Sequence, residues 1–419
     1  MTTERTTCCV VGGGPAGIML GLLLARAGVE VTVLEKHADF LRDFRGDTVH
    51  PSTLTLLDEL GLFAEFDRLP QHRAPGISVG LPEGMTPLAD ISHLPVPHPY
   101  VAFVPQWDLL DMLAGHAKRY PSFRLVTQAE CEDLIIERGA VVGVRYRTPD
   151  GAQELRARLT VGADGRHSVV RERAGLEPVN LNTPMDVVWF RMPRVPTDPD
   201  DMFLQFGAGH MMVAINRGTY WQLAYLIAKD SAGRLRERGI DALRGPVAEL
   251  LPFLEDRVGG LTSWDDTSVL KVGLTRLRRW HRPGALCIGD AAHTMSPVGG
   301  VGINLAVQDA VATANALAGP LLRNQRDGTP IDGRAVMGIQ RRRALPAMIT
   351  QTVQRVIQDR VIRPALNGGG TPGLPKAITA FPPARRVMGR FIGLGARPEH
   401  VRTPEVQVAA VSPAPGAGR

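Results

Sequence analysis

At 419 residues the chain is too long for one simple hydrophobic core, which predicts two intertwined domains and a tail. Its hydrophobic content of 44% is ordinary for a globular protein. No apolar run approaches a membrane span, and Met1 to Thr7 is too short and polar for a secretion signal, so a cytoplasmic protein without integral membrane association is expected. The formal charge of +6 is uneven: residues 334–419 carry 14 Lys+Arg against 3 Asp+Glu, and the preceding residues sum to −5. Arg341-Arg342-Arg343 has only Phe381 and Phe391 as nearby aromatics, which offers no stacking platform for nucleic acid. A solvated helix face, or docking of an anionic coenzyme, is expected there instead. The cysteines Cys8, Cys9, Cys131 and Cys287 lack metal-ligand spacing, and three lie in apolar strand-like runs; buried free thiols are expected.

Thr7 to Val11 is short, apolar and β-branched, as a strand buried on both faces should be, and Pro15 to Ala27 carries helical spacing. Gly12-x-Gly14-x-x-Gly17, with Ala16 inside it, lies at the turn between them. The first glycine allows a tight turn, the second lets backbone approach a pyrophosphate, and the third lets helix and strand pack closely. The pyrophosphate would rest on free amides at the helix N-terminus. A second apolar run, Val29 to Leu34, ends at Glu35, 18 residues after Gly17 and followed by Lys36; such a carboxylate grips a ribose hydroxyl pair. Strand, helix, strand and acidic end in this order predict a dinucleotide site.

Arg42 and Arg45 follow in a charged connection, suited either to a phosphate or substrate anion or to plain surface charge. Helical faces are predicted in Pro51 to Leu69 and again in Gln106 to Tyr120, with short strands and loops from Gln71 to Pro99. Four strand-length segments, Arg124–Thr127, Glu132–Ile136, Val141–Arg147 and Glu154–Val161, read as a meander. The last runs into Gly162-Ala163-Asp164-Gly165, a carboxylate between glycines that matches either a nucleotide-contacting turn or an ordinary Asp-Gly turn. From Pro178 to Leu270 the chain is strand-like and rich in aromatics and methionines. Trp189, Arg191, Met211, Trp221 and Tyr225 are its candidate substrate-pocket residues.

A third apolar strand, from Pro283, stops at Gly289-Asp290. Pro297, Gly299, Gly300, Gly302, Ile303 and Asn304 then lead into a helix over Leu305 to Ala318, bringing a second helix N-terminus with its positive dipole end to the same cavity. His293 has no second ligand at helical or hairpin spacing, which favours a loop-fixing role over a metal. A long helix is predicted over Met337 to Ile362, with Leu345, Met348, Ile349, Val353, Val356, Ile357 and Val361 on one side and arginines on the other. Residues 403–419 read as a disordered tail.

Together the three motifs resemble the single-component (group A) FAD-dependent aromatic hydroxylases, the para-hydroxybenzoate hydroxylase type, over roughly residues 7–330. Gly12-x-Gly14-x-x-Gly17 with Glu35 is similar to that family's FAD-adenosine motif. Gly162-Ala163-Asp164-Gly165 with Ser168 and Arg171 resembles the Asp-Gly motif that touches FAD and the nicotinamide coenzyme. Gly289-Asp290 with His293, Pro297, Gly299, Gly300, Gly302 and Asn304 resembles the loop whose aspartate holds the ribityl chain and which faces the isoalloxazine. Arg45 and Gln106 fall where the family contacts FAD.

The resemblance implies an α/β fold: a Rossmann-like FAD-binding domain (1–70, 100–180 and 271–330) interleaved with a mixed β-sheet substrate domain (71–99 and 181–270), a C-terminal helical region (331–402) and the tail. It implies bound FAD, transient NADPH or NADH, and O2 as co-substrate. Oxygen transfer would run through a flavin C4a-hydroperoxide to an apolar aromatic, polyketide or isoprenoid small molecule, by hydroxylation or epoxidation. The chemistry is centred on the flavin, with no protein catalytic residue and no metal, in a monomer or homodimer. The alternatives are an FAD-dependent reductase or dehydrogenase acting on a carbon–carbon double bond, or a flavin-binding interaction protein without turnover. A halogenase is disfavoured because its Trp-x-Trp-x-Ile-Pro motif is missing.

Overall fold

The computed structural model describes residues 3–41, 48–81, 84–200, 202–369 and 373–406. Its first sheet is built on apolar strands whose residues are buried on both faces, as in Val31–Leu34. Four parallel strands form the centre in the order Ala285–Cys287, Gly151–Gly162, Thr3–Val11 and Val31–Leu34, and Phe123–Val126 continues the parallel set at the edge. The expected meander is therefore one strand shorter. Only Glu130–Glu137, Ala140–Thr148 and Gly151–Gly162 pair antiparallel in succession, while Phe123–Val126 pairs with Val31–Leu34, a partner 92 residues away that local turn signals cannot reveal. Helices Pro15–Arg26 and Gly302–Asp327 pack on this sheet, and the four cysteines are free and buried. Burial pushes the Cys8 thiol up to about 12, which keeps it unreactive.

The second sheet runs Thr267–Leu270, Met185–Pro193, Tyr220–Ala228, His210–Asn216, Phe203–Gly207, Gly76–Leu81, Gly84–Asp90. Because side chains alternate along a strand, it has two faces, and both are covered. Val188, Phe190, Trp221, Leu223 and Tyr225 point outward into a core closed by helix Asp241–Leu250. Val187, Met211, Ala224 and Leu226 point inward, where Val361, Ile362 and Ala365 of the C-terminal region meet them.

That C-terminal region differs from expectation in which side of its long helix is buried. The helix spans Gly333–Ile357 and continues through a π-helical turn, Gln358–Ile362. Of the residues expected on its apolar side, Leu345, Met348, Ile349 and Val356 face solvent, Leu345 being 54% and Val356 50% exposed, Val353 and Ile357 are half-buried, and Val361 is buried. The buried side sets Val336, Ile339 and Ala347 beside a run of polar residues, Arg343, Thr350, Gln351, Gln354 and Gln358. The expected disordered tail is corrected for its first four residues. Arg26 donates to Thr403 O at 2.9 Å and to the Glu405 carboxylate at 2.9 Å, and Val406 N donates to Arg26 O at 2.8 Å, tying the segment to the first helix. No helix among the described residues is long and apolar enough to cross a membrane.

Candidate cofactor and substrate site

The ends of four parallel strands lie in one row, since Val11 is the lateral partner of both Leu34 and Gly162, and Gly162 of Cys287. Gly12 N donates to Leu34 O (2.8 Å), Ala163 N to Val11 O (2.8 Å) and Ile288 N to Gly162 O (2.9 Å), so the three glycine-rich loops leave the sheet side by side. They also touch. Gly12 has φ +105, and a Cβ there would stand 2.5 Å from Ala163 O and 2.7 Å from Asp164 Cα. A Cβ on Gly289 would lie 3.2 Å from the Ala16 Cβ. The separated motifs thus form one groove along the carboxyl edge of the sheet, where ligands of open α/β sheets bind.

Within the groove Glu35 is buried and accepts from Gly13 N (2.8 Å) and His37 N (3.0 Å), which fixes its carboxylate at the end of Val31–Leu34. Asp164 accepts from Ser168 and from Val170 N (3.2 Å), starting the short helix Val169–Arg173; burial pushes its carboxyl above the usual range. Asp290, one third exposed, faces the Arg166 guanidinium at 3.9 Å. Arg171 joins the second and third loops by donating to Arg166 O (2.7 Å) and Ala291 O (3.2 Å).

The third loop is anchored from below. Asp309, fully buried on helix Gly302–Asp327, accepts from Gly289 N (3.0 Å), His293 Nε2 (2.6 Å) and Arg343 Nε (2.9 Å). Burial alone would raise its carboxyl; His293 and Arg343 outweigh that and hold it below the usual range. Farther along, a ladder of carboxamides grips the loop backbone. Gln351 donates to Thr275 O and Thr294 O, and Gln354 accepts from Ser296 N (3.1 Å) while donating to Ser296 O and Val298 O (2.9 Å each). Gln358 donates to Ser296 Oγ at 2.8 Å. Replacing Gln354 with Glu keeps the acceptor but turns carboxylate oxygen toward two carbonyls. It is expected to lower stability by about 2 kcal/mol, read as a lower urea midpoint; an unchanged midpoint would mean the ladder does not hold the loop.

Gly299 and Gly300 then turn at φ +79 and +63. Thr48 Oγ1 donates to Gly300 O at 2.7 Å, and the Asn304 carboxamide accepts from His50 N and Thr53 Oγ1. His50 is buried with Nδ1–H donating to Ile392 O at 2.7 Å, and burial lowers its pKa to about 4. The unfolded chain therefore binds the extra proton between pH 6.5 and 4, so stability falls as pH falls through that window. The loss is about 3 kcal/mol, and His50→Gln should flatten that part of a pH–unfolding profile.

The second sheet presents a patterned wall. Arg191, Gln222 and Ile215 form one cross-strand row, and Trp189, Ala224, Val213 and Leu204 the next. Val298 of the third loop packs against the same face as Ala224.

Comparison with known proteins agrees. The model of a family described as "FAD binding domain" matches residues 5–332. The chain belongs to this FAD-binding family. It is 33% identical over 406 residues to 6-methylpretetramide 4-monooxygenase of Streptomyces rimosus, covering 95% of this chain and 94% of the relative. Among solved structures it resembles the anhydrotetracycline hydroxylase OxyS from Streptomyces rimosus (TM-score 0.72, 23% identity, 93% of this chain and 76% of that one). It likewise resembles pqsL, a probable FAD-dependent monooxygenase from Pseudomonas aeruginosa (TM-score 0.72, 22% identity, 87% and 98%). These two show the fold. The protein is an FAD-dependent monooxygenase, using FAD and O2, of mixed α/β architecture with a C-terminal helical region.

In this monooxygenase Gly12, Gly14, Ala16, Gly17, Glu35, Asp164 and Asp290 come together around one groove, with Lys36 exposed beside Glu35. Gly300, Gly302, Ile303 and Asn304 open helix Gly302–Asp327, next to Pro297 and Gly299. Gln106 begins the helix that follows Val101–Phe103, the strand paired with Thr48–Val49, whose Thr48 bonds Gly300 O. The Asn304 side chain is occupied by residues 48–53, so its backbone is what remains for a ligand. Arg45 lies outside the described residues.

The five candidate pocket residues separate. Trp189, Arg191 and Met211 face inward, whereas Trp221 and Tyr225 face the outer core, a correction that follows from strand alternation. Trp221 donates to Asp198 at 2.9 Å and Tyr225 pairs with His210 at 2.6 Å, both remote from the groove. Arg343 is likewise corrected from a solvated face to a buried anchor. Three consecutive arginines span about 200° of helix, so one was bound to turn inward. The glutamine ladder and Asp309 escaped notice in the sequence because a polar residue on an amphipathic helix reads as solvent-facing.

Proposed function

We propose that this monooxygenase oxygenates an aromatic, polyketide-type small molecule, with NADPH or NADH as a transient reductant. The supporting observation is the row Leu34, Val11, Gly162, Cys287, which delivers three glycine-rich loops and two helix N-termini to one groove facing a second sheet. The pyrophosphate is assigned to the amides that open helix Pro15–Arg26, the adenosine ribose to Glu35, and the remainder of FAD to Asp164, Asp290 and the loop from Pro297 to Asn304. Open space beside Gly14 and a helix N-terminus with no side-chain cap are what an anionic dinucleotide requires, so these residues fit FAD.

Bound FAD supplies the redox chemistry and the activation of oxygen. The chain's own residues bind, orient and shield. The N-terminus of the 26-residue helix Gly302–Asp327 favours negative charge over the Gly300–Asn304 amides, and the Gln351, Gln354 and Gln358 ladder holds the preceding loop against the inner wall. A polyketide-type substrate is inferred from the 6-methylpretetramide named for the relative that is 33% identical along nearly the whole chain.

The test is turnover under labelled oxygen with 6-methylpretetramide and simpler hydroxylated aromatics. Substrate-stimulated NAD(P)H oxidation with one labelled oxygen atom in the product is expected. Coenzyme oxidation that yields only unlabelled product, or turnover that proceeds equally well without oxygen, would overturn the assignment.

A further inference from the structure

The solvent side of helix Gly333–Ile357 is apolar in its middle and basic at both ends. Leu345, Met348, Ile349 and Val356 are all exposed and fall within a strip about 100° wide. Arg334 and Arg341 lie on the same strip ahead of them, and Arg355 and Arg360 border it at the far end. These four arginines are exposed, and among the described residues none has a side-chain ion pair or hydrogen bond. The nearby acids are already used, Asp332 as the N-cap and Asp359 by Arg363 at 3.1 Å. The segment that follows repeats the composition. Residues 360–398 hold seven Lys+Arg and no Asp or Glu, and helix Pro382–Leu394 exposes Val387 beside Arg386 and Arg390. Helix Gly373–Ala380, which leads into it, packs against Gln358–Ile362 at the end of the first helix. Of the eleven large apolar side chains exposed among the described residues, six lie within 333–394, so the exposure is concentrated here and not scattered.

Charge decides what can cover such a face. A second copy paired antiparallel about Met348 and Ile349 would set Arg334 against Arg363 and Arg341 beside Arg355. Paired parallel, each arginine would meet its own copy, so like charges oppose in both arrangements. A surface that is apolar and anionic at once satisfies both parts of the strip, and a bilayer of acidic lipids is such a surface.

We propose that helix Gly333–Ile357, with Pro382–Leu394, docks the protein peripherally on an anionic lipid surface. The helix lies in the plane of the interface, with Leu345, Met348, Ile349 and Val356 at the acyl boundary and Arg334, Arg341, Arg355 and Arg360 at the lipid phosphates. It does not span the bilayer. Its opposite face carries Gln351 and Gln354, which grip the third loop, so docking holds that loop about one helix diameter, roughly 10–12 Å, from the lipid. This goes beyond the oxygenation assigned above and holds whichever substrate is used.

Flotation of the full FAD-loaded chain with vesicles tests it. With equal phosphatidylglycerol and phosphatidylcholine at low salt, the protein is expected to bind at least about tenfold more tightly than with phosphatidylcholine alone, and less tightly as salt rises. Met348→Glu with Val356→Glu should abolish binding, and the milder Met348→Ser with Val356→Ser should weaken it. Arg341→Gln with Arg355→Gln should weaken it about 25-fold, or about fivefold per charge. Ile136→Glu, which alters an exposed apolar residue on strand Glu130–Glu137, should bind like the native protein. All these positions are outside the cofactor groove, so FAD content stays native. The proposal is overturned if the native protein binds neither vesicle or both equally, or if Ile136→Glu loses binding as the helix variants do. Binding that needs the arginines but survives both Met348 and Val356 pairs also overturns it, by reducing the contact to plain charge attraction. So does a native dimer in sedimentation velocity that Met348→Glu with Val356→Glu splits into monomers while vesicles go unbound, which would assign the face to a second copy.

Discussion

Asp309→Ala is expected to lower the stability of the folded protein by about 3–5 kcal/mol, read as a shift of the urea or thermal midpoint. The carboxylate is the meeting point of Gly289 N, His293 and Arg343, and it and Arg343 are both essentially inaccessible to solvent. Removing it leaves a guanidinium buried with only the Arg397 carbonyl and the Glu399 carboxylate at 3.4 Å. The double variant Asp309→Ala, Arg343→Met separates charge burial from lost packing. With both charges gone it should recover a large part of the loss, because replacing a buried ion pair by apolar groups is close to neutral while breaking it is not. A double variant no better than the single one would show that the cost lies elsewhere. The acid limb gives a second check. A carboxyl held below its usual range contributes stability that is present above the unfolded pKa of 3.8 and is lost as pH falls through the lower folded value. This loss sits below the window of His50, so Asp309 and His50 can be told apart in one pH series.

What could be read in the chain was whatever rests on local pattern. Gly12, Gly17 and Glu35 were legible because a tight turn, a close helix–strand approach and an acidic strand end each demand a residue type at fixed spacing, and the turns at Asp164 and Asp290 repeat the same device. The C-terminal helix was legible in position but not in orientation. Periodicity separates Leu345, Met348, Ile349 and Val356 from Arg343, Gln351, Gln354 and Gln358, yet it cannot say which set meets the protein. That is decided by Ser296, Val298 and Asp309, a long way off in sequence, whose backbone and carboxylate need polar partners. The substrate sheet posed the same difficulty in another form. Both of its faces are covered, so the aromatic content of Trp189, Trp221 and Tyr225 carries no sign of inward or outward direction until the strands are paired.

Gly14 and Gly17 of the first loop are expected to fail in different ways when substituted, and Gly14 gives the larger functional effect. Gly14 has φ −74 and a Cβ built there meets no atom within 4 Å, so Gly14→Val is compatible with the backbone and should leave the melting temperature nearly unchanged. The empty space is where the pyrophosphate is assigned, and a branched side chain occupies it. Losing two charge-assisted bonds to backbone amides costs about 3 kcal/mol or more, so FAD affinity should fall by roughly 100-fold or beyond, measured by quenching of FAD fluorescence on titration into the apoprotein. Gly17→Ala behaves oppositely. Its Cβ would stand 1.8 Å from Gly12 O, a backbone atom that can yield only by pushing strand and helix apart, so stability drops by about 3 kcal/mol and flavin is lost as a secondary consequence. The contrast is what makes the pair decisive. A stable Gly14→Val that still binds FAD like the native protein would remove the pyrophosphate from this helix end, whereas a Gly17→Ala of native stability would show that the turn has more slack than its geometry allows.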